Sequence, residues 1–543
     1  EGDATLGRGT AEMAGGRFAV SGGRFHGRYD LDSDEVIIDQ LQLAGDHTRI
    51  NGEAHIRDAS RIMRAAPNEP AAFDIALPSL RLDVPGTFSS PVALTDVQVQ
   101  GSIDSAGRSI RFTRLHARAE DAVAEATGRF YWGEAGPEHK TYPGLELHGV
   151  VNGVADALTV LHVWPMQLGE HAHHFLVDSL IAGRVTEGRA DLDLRPSDFA
   201  ADRFRNEAID VRFNVTNGTF RFLDTMSPIT NARGSGILRG NSFELTVPEA
   251  RINGLAVTNG RVEINQLRPD GGVATISAHA EGEARNALEI LMQEPLALHD
   301  RIPVDPASAT GHASVNLRLA RPMLEEVPIE AWRYNVDGSI SNFTGRMTSR
   351  PMLVSNGQLR GVGDQRAFHI TGPIRAGTSN VNVAWTEYIN RPSNASSEYQ
   401  ISGDFDAADL VRLGYDVAEY ARGRVGVSIT GQGRGFDVDN AHIEIDARNA
   451  QLDSPWSFWT KAAGVTAAAS VDVVRQSDGG LLIDNIDARG SGLVARGRVR
   501  LARDNSIQLI DLPRLAIDGH SDAHLVLQHA TDGGTDVTVT GSL

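Results

Sequence analysis

Val211-Arg-Phe213-Asn-Val215 alternates apolar and polar residues without a break. Alternation with period two places Val211, Phe213 and Val215 on one face of a β-strand and Arg212 and Asn214 on the other. The same phrase recurs at Phe243-x-Leu245-x-Val247, at Val425-x-Val427-x-Ile429 and at Val537-Thr-Val539. Between these runs stand Phe220 and Phe222, Gly254-Leu-Ala-Val257 and Gly260-x-Val262-x-Ile264. Single glycines and the turn signals Pro269-Asp270-Gly271, Asp337-Gly338, Asp478-Gly479-Gly480 and Asp532-Gly533-Gly534 punctuate the chain roughly every 8 to 12 residues. That spacing predicts about 35 to 40 antiparallel strands joined as a meander, and it treats the glycines of Gly234-x-Gly236 and Gly431-x-Gly433-x-Gly435 as turn residues.

Helical periodicity is confined to inserts. After Trp164-Pro165 the residues Leu168, Ala172, Phe175, Leu176 and Leu180 favour one side of a helix running to about Gly183, with proline well placed at its start. Shorter helices are predicted from Ala284 to Met292 and from Ala407 to Leu413. Three small helices cannot blanket so many strands, so the apolar face requires a second sheet, closure or a ligand. No Pro/Ser/Thr-rich linker divides the chain as a string of separate sandwiches would require. The expected fold is therefore mainly β, a long continuous twisted antiparallel sheet curled into an apolar groove with a few short helices. Three stretches of it are expected: 1–153, 154–300 and 301–543.

Composition excludes several function classes. Of 51 basic residues only Lys140 and Lys461 are lysine, and the formal charge of -19 together with the lack of any basic run argues against a nucleic-acid partner. No cysteine is present, which removes thiol nucleophiles, Cys-ligated metals and disulfides. No apolar run approaches the roughly 18 to 20 residues of a membrane helix. The chain begins at Glu1, so it reads as part of something longer, with any anchor outside it.

Candidate sites weigh lightly. His171, His173 and His174 could suggest a metal, but no further ligand completes a set and a solvated helix face is the plainer reading. Asp191-x-Asp193 and Asp437-x-Asp439 lack the glycine and distant glutamate of a calcium loop and project outward from strands. No Gly-x-Ser-x-Gly elbow or nucleophile and base pair can be assembled, so no catalytic residue, metal or cofactor is expected.

The segment from His162 to Leu298 carries a more specific pattern: His162-Val-Trp-Pro165, Gly183 to Leu194, Ile209 to Phe222, Ile229 to Gly236, Gly254 to Ile264 and Ala284 to Pro295. With Ser454-Pro455, Trp456, Trp459 to Gly464 and Asn485 to Leu501 it resembles the AsmA-like envelope proteins, in particular the YhdP-like branch, over about Ala157 to Leu543. The resemblance implies a periplasmic β-groove, anchored in the inner membrane through a segment outside these residues. It also implies a non-enzymatic role in moving phospholipid between inner and outer membrane, with other envelope proteins as further partners. On that reading Val211, Phe213, Val215, Phe220, Phe222, Phe243, Leu245, Val247, Val257, Val262, Ile264, Val425, Val427 and Ile429 line the groove. The competing expectation is a structural or adhesive scaffold in which the same residues form a sealed core.

Overall fold

The computed structural model describes residues 1–543 except 14–15, 46, 66–68, 84–87, 165–169, 202, 222, 268, 270, 295–297, 299–301, 303, 325–326, 329–330, 349–351, 390–394, 414–416, 436, 455–458, 530–533 and 543. Side chains within 10–19, 170–172, 174–175 and of 437 also lie outside the description. Strands hold 69% of the residues and helices 8%, in a long antiparallel sheet that does not close into a barrel. The helices are thus too few to form a covering layer.

Contacts divide the chain into two units, Glu1–Ile252, Ala256–His279 and Arg318–Arg333 in the first, Asn253–Leu255, Ala280–Leu317 and Tyr334–Leu543 in the second. In the first, each strand from Gly16–Asp30 through Glu35–Gly45, Arg49–Arg57, Ala71–Leu82, Val92–Asp104, Ser109–Ala119 and Ala122–Ala135 pairs with its successor. The meander continues through Lys140–Asp156, Leu180–Leu194, Ile209–Phe220, Ile229–Arg239 and Ser242–Ile252. Gly2–Leu6 and Gly9–Met13 both pair against Gly16–Asp30, at that strand's free side. From Arg333–Arg346 to Thr535–Ser542 the meander recurs, except that Asp437–Asp446 pairs next with Ala467–Arg475 while Ala450–Asp453 and Thr460–Lys461 form a small side ladder on Ala421–Arg434.

The described residues form 32 strands, fewer than the turn spacing suggested, because they are longer than expected. Several glycines taken for turns lie inside strands: Gly234 and Gly236 in Ile229–Arg239, Gly338 in Arg333–Arg346, Gly431 and Gly433 in Ala421–Arg434. Their role is spatial. Phe213 stands directly opposite Gly236, and a Cβ there would overlap its ring. The same arrangement opposes Phe73 to Gly101 and Phe368 to Gly363, each ring lying over a neighbouring-strand position that carries no side chain. Gly435 and Gly479, by contrast, do sit at turns with positive φ, +58° and +84°.

Among the described residues six α-helices interrupt the sheet: α1 Ser60–Arg64, α2 Ala157–His162, α3 Glu170–Ser179, α4 Pro196–Ala200, α5 Ala284–Leu291 and α6 Ala407–Arg412. The expected helices at Ala284 and Ala407 are present, with Met292 and Leu413 as C-caps. The one after Trp164 is not as expected: α3 ends at Ser179, and Gly183 lies in the strand Leu180–Leu194, where Leu180 and Ala182 already pair with Phe220 and Thr219. The junctions into α2, α5 and α6 share an acidic residue followed by a buried alanine: Asp156-Ala157, Glu283-Ala284 and Asp406-Ala407. Asp156 and Asp406 each accept from the amide two residues on, at 2.9 Å, which caps the new helix as the strand ends. The buried alanine permits the helix to fold back closely on the sheet.

Candidate functional site

Residues directly opposite on neighbouring strands share a face, so the pairing register converts the alternation of each strand into rows that cross the sheet. One row in the first unit runs Gly27, Ile38, Ala54, Ile75, Val99, Leu115, Ala126, Gly149, Ala190, Val211, Leu238, Phe243. It crosses twelve strands and contains no polar side chain. At about 4.8 Å per strand that is roughly 50 Å, several times the ~15 Å depth of one bilayer leaflet's hydrocarbon. A parallel row runs Val36, Ile56, Phe73, Gly101, Phe112, Gly128, Leu147, Leu192, Ile209.

The second unit is built alike. Its row runs Gly338, Gly361, Ile370, Trp385, Tyr399, Gly431, Ala441, Val473, Ile483, Val499, Ile510, Leu527, Val537. Beside it lie Ile374, Val381, Gly403, Val427, Ile445, Ala469, Ala488, Ala495 and Leu515.

Burial along these rows distinguishes a floor from a core. In the first unit Ala54, Leu238 and Phe243 are buried, while the run Ile75, Val99, Leu115, Ala126, Gly149, Ala190 and Val211 is only half-buried. A second sheet laid over that face would bury the middle of the row first. In the second unit Trp385, Tyr399, Gly431 and Ala441 are buried, Val473 to Leu527 are half-buried, and Val537 is 58% exposed. The covered parts are local clusters. One gathers Leu194, Phe204, Ala208, Ile209, Leu238, Phe243 and Ile264; another packs Ala284 and Leu288 of α5 against Phe343, Trp385 and Tyr399.

Each residue singled out in the sequence can now be placed. Val211 and Phe243 lie on one row, and Phe213 and Leu245 meet across Gly236 on the next, with Val215 opposite Gly234 and Val185. Val211, Phe213, Val215, Phe220, Leu245, Val247, Val262, Val427 and Ile429 are half-buried, whereas Phe243, Val257, Ile264 and Val425 are buried. Phe222 lies outside the described residues. The residues missed are the cross-strand partners, Ile38, Ile75, Val99, Leu115, Val473, Ile483 and Ile510 among them. Their strands carry the same alternation, but which of two faces joins the next strand's apolar set depends on register, which bulges shift.

The opposite face is charged and held by cross-strand pairs. Asp210 accepts from Arg212 Nε at 2.7 Å and from Arg239 at 3.2 Å, and these guanidiniums, Arg212 above all, hold its carboxyl at about 2. Asp191 joins Arg189 at 2.7 Å and His148 at 2.9 Å, which confirms its outward projection. At the strand ends two acidic side chains are buried with purpose. Asp198 of α4 receives both Nε and a terminal nitrogen of Arg205, at 2.9 and 3.0 Å. Burial pushes Asp409 of α6 up, but donors from Ser379, Thr378 and Arg412, at 2.7 Å, outweigh it and hold its carboxyl below the usual range. Lys461 is buried too, its ammonium donating to the carbonyls of Ala447, Arg448, Ala450 and Ala462 at 2.7 to 3.1 Å.

The histidine cluster differs from expectation. His173 is fully buried rather than solvated, its Nε2 donating to the Leu161 carbonyl at 3.0 Å and its ring set edge-on to Trp164, because α3 packs against α2. The side chains of His171 and His174 lie outside the description. Among the described residues no group of three or more His, Asp or Glu could hold a metal, and no helix is long and apolar enough to cross a membrane.

The model of the YhdP protein family matches residues 29–410. The chain belongs to the YhdP family. This YhdP match begins well before Ala157, where the sequence pattern first becomes specific, so the strands from Glu35–Gly45 onward belong to the family's region as well. It ends at 410, before Trp459 to Leu501. No curated protein matches the chain.

Proposed function

We propose that this YhdP-family chain is a non-enzymatic conduit that carries phospholipid between inner and outer membrane through the periplasm, supporting outer-membrane integrity. One observation carries the reading: apolar rows cross many strands in register and stay half-open to solvent along much of their length. Acyl chains laid on such a floor bury methylenes worth about 0.8 kcal/mol each, while the headgroup remains in water at the open side. Family membership supports envelope lipid transport, and attachment to the inner membrane would come from a segment outside these residues. Phospholipid is the expected partner, with other envelope proteins at the ends.

Native mass spectrometry of the purified chain, followed by lipid extraction, tests the proposal. Co-purifying phospholipid is the expected result. A chain that emerges lipid-free from a membrane-rich lysate favours the competing scaffold with a sealed core.

A further inference from the structure

Some arginines on the polar face are matched by acids. Arg57 meets Asp74, Arg261 meets Glu244 and Arg360 meets Asp337, each across a strand boundary. Others are not, and facing arginines recur, as at Arg111 opposite Arg129, but one such pair lines a cavity. Arg49 and Arg81 stand directly opposite on the strands Arg49–Arg57 and Ala71–Leu82, an arrangement in which like charges repel. Neither makes an ion pair or side-chain hydrogen bond with any described residue.

The two arginines line a cavity of about 770 Å3 at the strand ends, beneath the last turn of α2. The register explains the hollow. Arg81 is opposite Ala93, and the adjacent row on the same face runs Asn51, Ser79, Thr95, Arg118. Small side chains at Ser79, Ala93 and Thr95 therefore form a floor between Arg49 and Arg81 on one side and Arg118 on the other. His162 of α2 also lines it. The one carboxylate in the lining, Glu120, is already engaged: its oxygens accept from the Thr159 hydroxyl at 2.8 Å and the Asp156 amide at 3.2 Å. A chain of formal charge -19 thus holds three guanidiniums around a hollow; the charge of Arg118 also reaches Asp96, while Arg49 and Arg81 have no ion pair with a described residue.

We propose that this cavity binds a phosphate ester anion. Planar guanidiniums match phosphate oxygens in a bidentate fork, and the Ser79 hydroxyl adds a donor from the floor. Bringing an anion between Arg49 and Arg81 turns their mutual repulsion into joint attraction. The lining also includes Leu80 and Leu94 of the apolar face, and the proposal rests on the three arginines rather than on the conduit reading. The ester could belong to a phospholipid headgroup or to a soluble phosphate, since both present the same oxygens.

The test uses the whole chain, with binding measured by calorimetry for short-chain phosphatidylglycerol below its micelle concentration and for glycerol 3-phosphate. Arg49→Gln/Arg81→Gln should weaken binding at least about tenfold, the effect of removing hydrogen bonds to a charged group. Arg118→Gln should weaken it by a smaller factor, and Arg261→Gln, paired elsewhere, should leave it unchanged. Tighter binding of the lipid than of glycerol 3-phosphate supports a headgroup as the source, and equal binding supports a soluble ester. Equal affinity of wild type and the double variant, with both melting alike, overturns the site. Lipid carried through purification by both proteins is read separately, so a lipid-free chain that still binds phosphate through Arg49 and Arg81 counts against the conduit alone.

Discussion

Leu115→Asp separates an open floor from a sealed core by the size of its effect. Leu115 sits near the middle of the twelve-strand row, between Val99 and Ala126, and is half-buried. If the face were covered by protein, the substitution would remove a packed side chain, about 2 to 5 kcal/mol, and would add the cost of a desolvated carboxylate. The unit would then fail to fold or would bury the group protonated. On a floor open to water the carboxylate stays hydrated, and the loss is about half a leucine's transfer energy, roughly 1 kcal/mol. We expect a soluble variant whose local opening, read by hydrogen exchange across residues 109–135, is eased by about fivefold. On the proposed reading the same variant should retain markedly less phospholipid, because a fixed charge would stand on the floor that holds acyl chains. A variant that unfolds outright refutes the open floor. One that folds and keeps its full lipid load refutes the floor as the binding surface.

Phe213→Asp and Leu245→Asp should likewise fold and yet fail to complement an outer-membrane defect in cells; complementation by the well-folded variants would count against a conduit. Gly101→Ala should destabilise by about 2 kcal/mol, since its Cβ would come 2.8 Å from the Phe73 ring and press on the neighbouring backbone, a loss visible as a lower melting temperature. Lys461→Met leaves four carbonyls without their ammonium; three of them also accept a backbone amide, so the expected loss is about 2 to 4 kcal/mol, measured as faster exchange in 447–464. Asp210, held at about 2, contributes stability that is full above the unfolded value near 4 and is lost as pH falls through 2; because it is part-exposed, Asp210→Asn should cost under about 1 kcal/mol at pH 7 and flatten that acid limb in a pH series of melts.

The strand alternation at Val211, Phe213 and Val215 was legible because period two is a property of one strand alone. What joins Val211 to Leu238 and Val99 to Leu115 is register, which depends on bulges such as that between Val215 and Gly218 and leaves only a weak trace in sequence. Glycine misled for a related reason. Gly236 and Gly479 look alike in sequence, yet one makes room for the Phe213 ring inside a strand and the other turns the chain at positive φ. The ends of α5 and α6 were readable from their apolar spacing, whereas the acidic residue and buried alanine that open α2, α5 and α6 recur too far apart, at 157, 284 and 407, to be noticed as a repeat. His173 was misplaced because burial against α2 is a tertiary event.

The rows of glycine and aliphatic side chains bear on how fast a lipid could travel. An acyl chain that advances by one strand, about 4.8 Å, leaves one set of Val, Ile, Leu or Ala contacts and meets another of nearly the same kind. Across Ile75, Val99 and Leu115 successive resting places differ by about one methylene, about 0.8 kcal/mol, little more than thermal energy at 0.6 kcal/mol, whereas steps onto Ala126 or Gly149 are larger. Such steps carry no bias from one end to the other, so passage along the proposed track would be a random walk with no preferred sense. Any net flow must be imposed from its ends, by supply at one membrane and removal at the other.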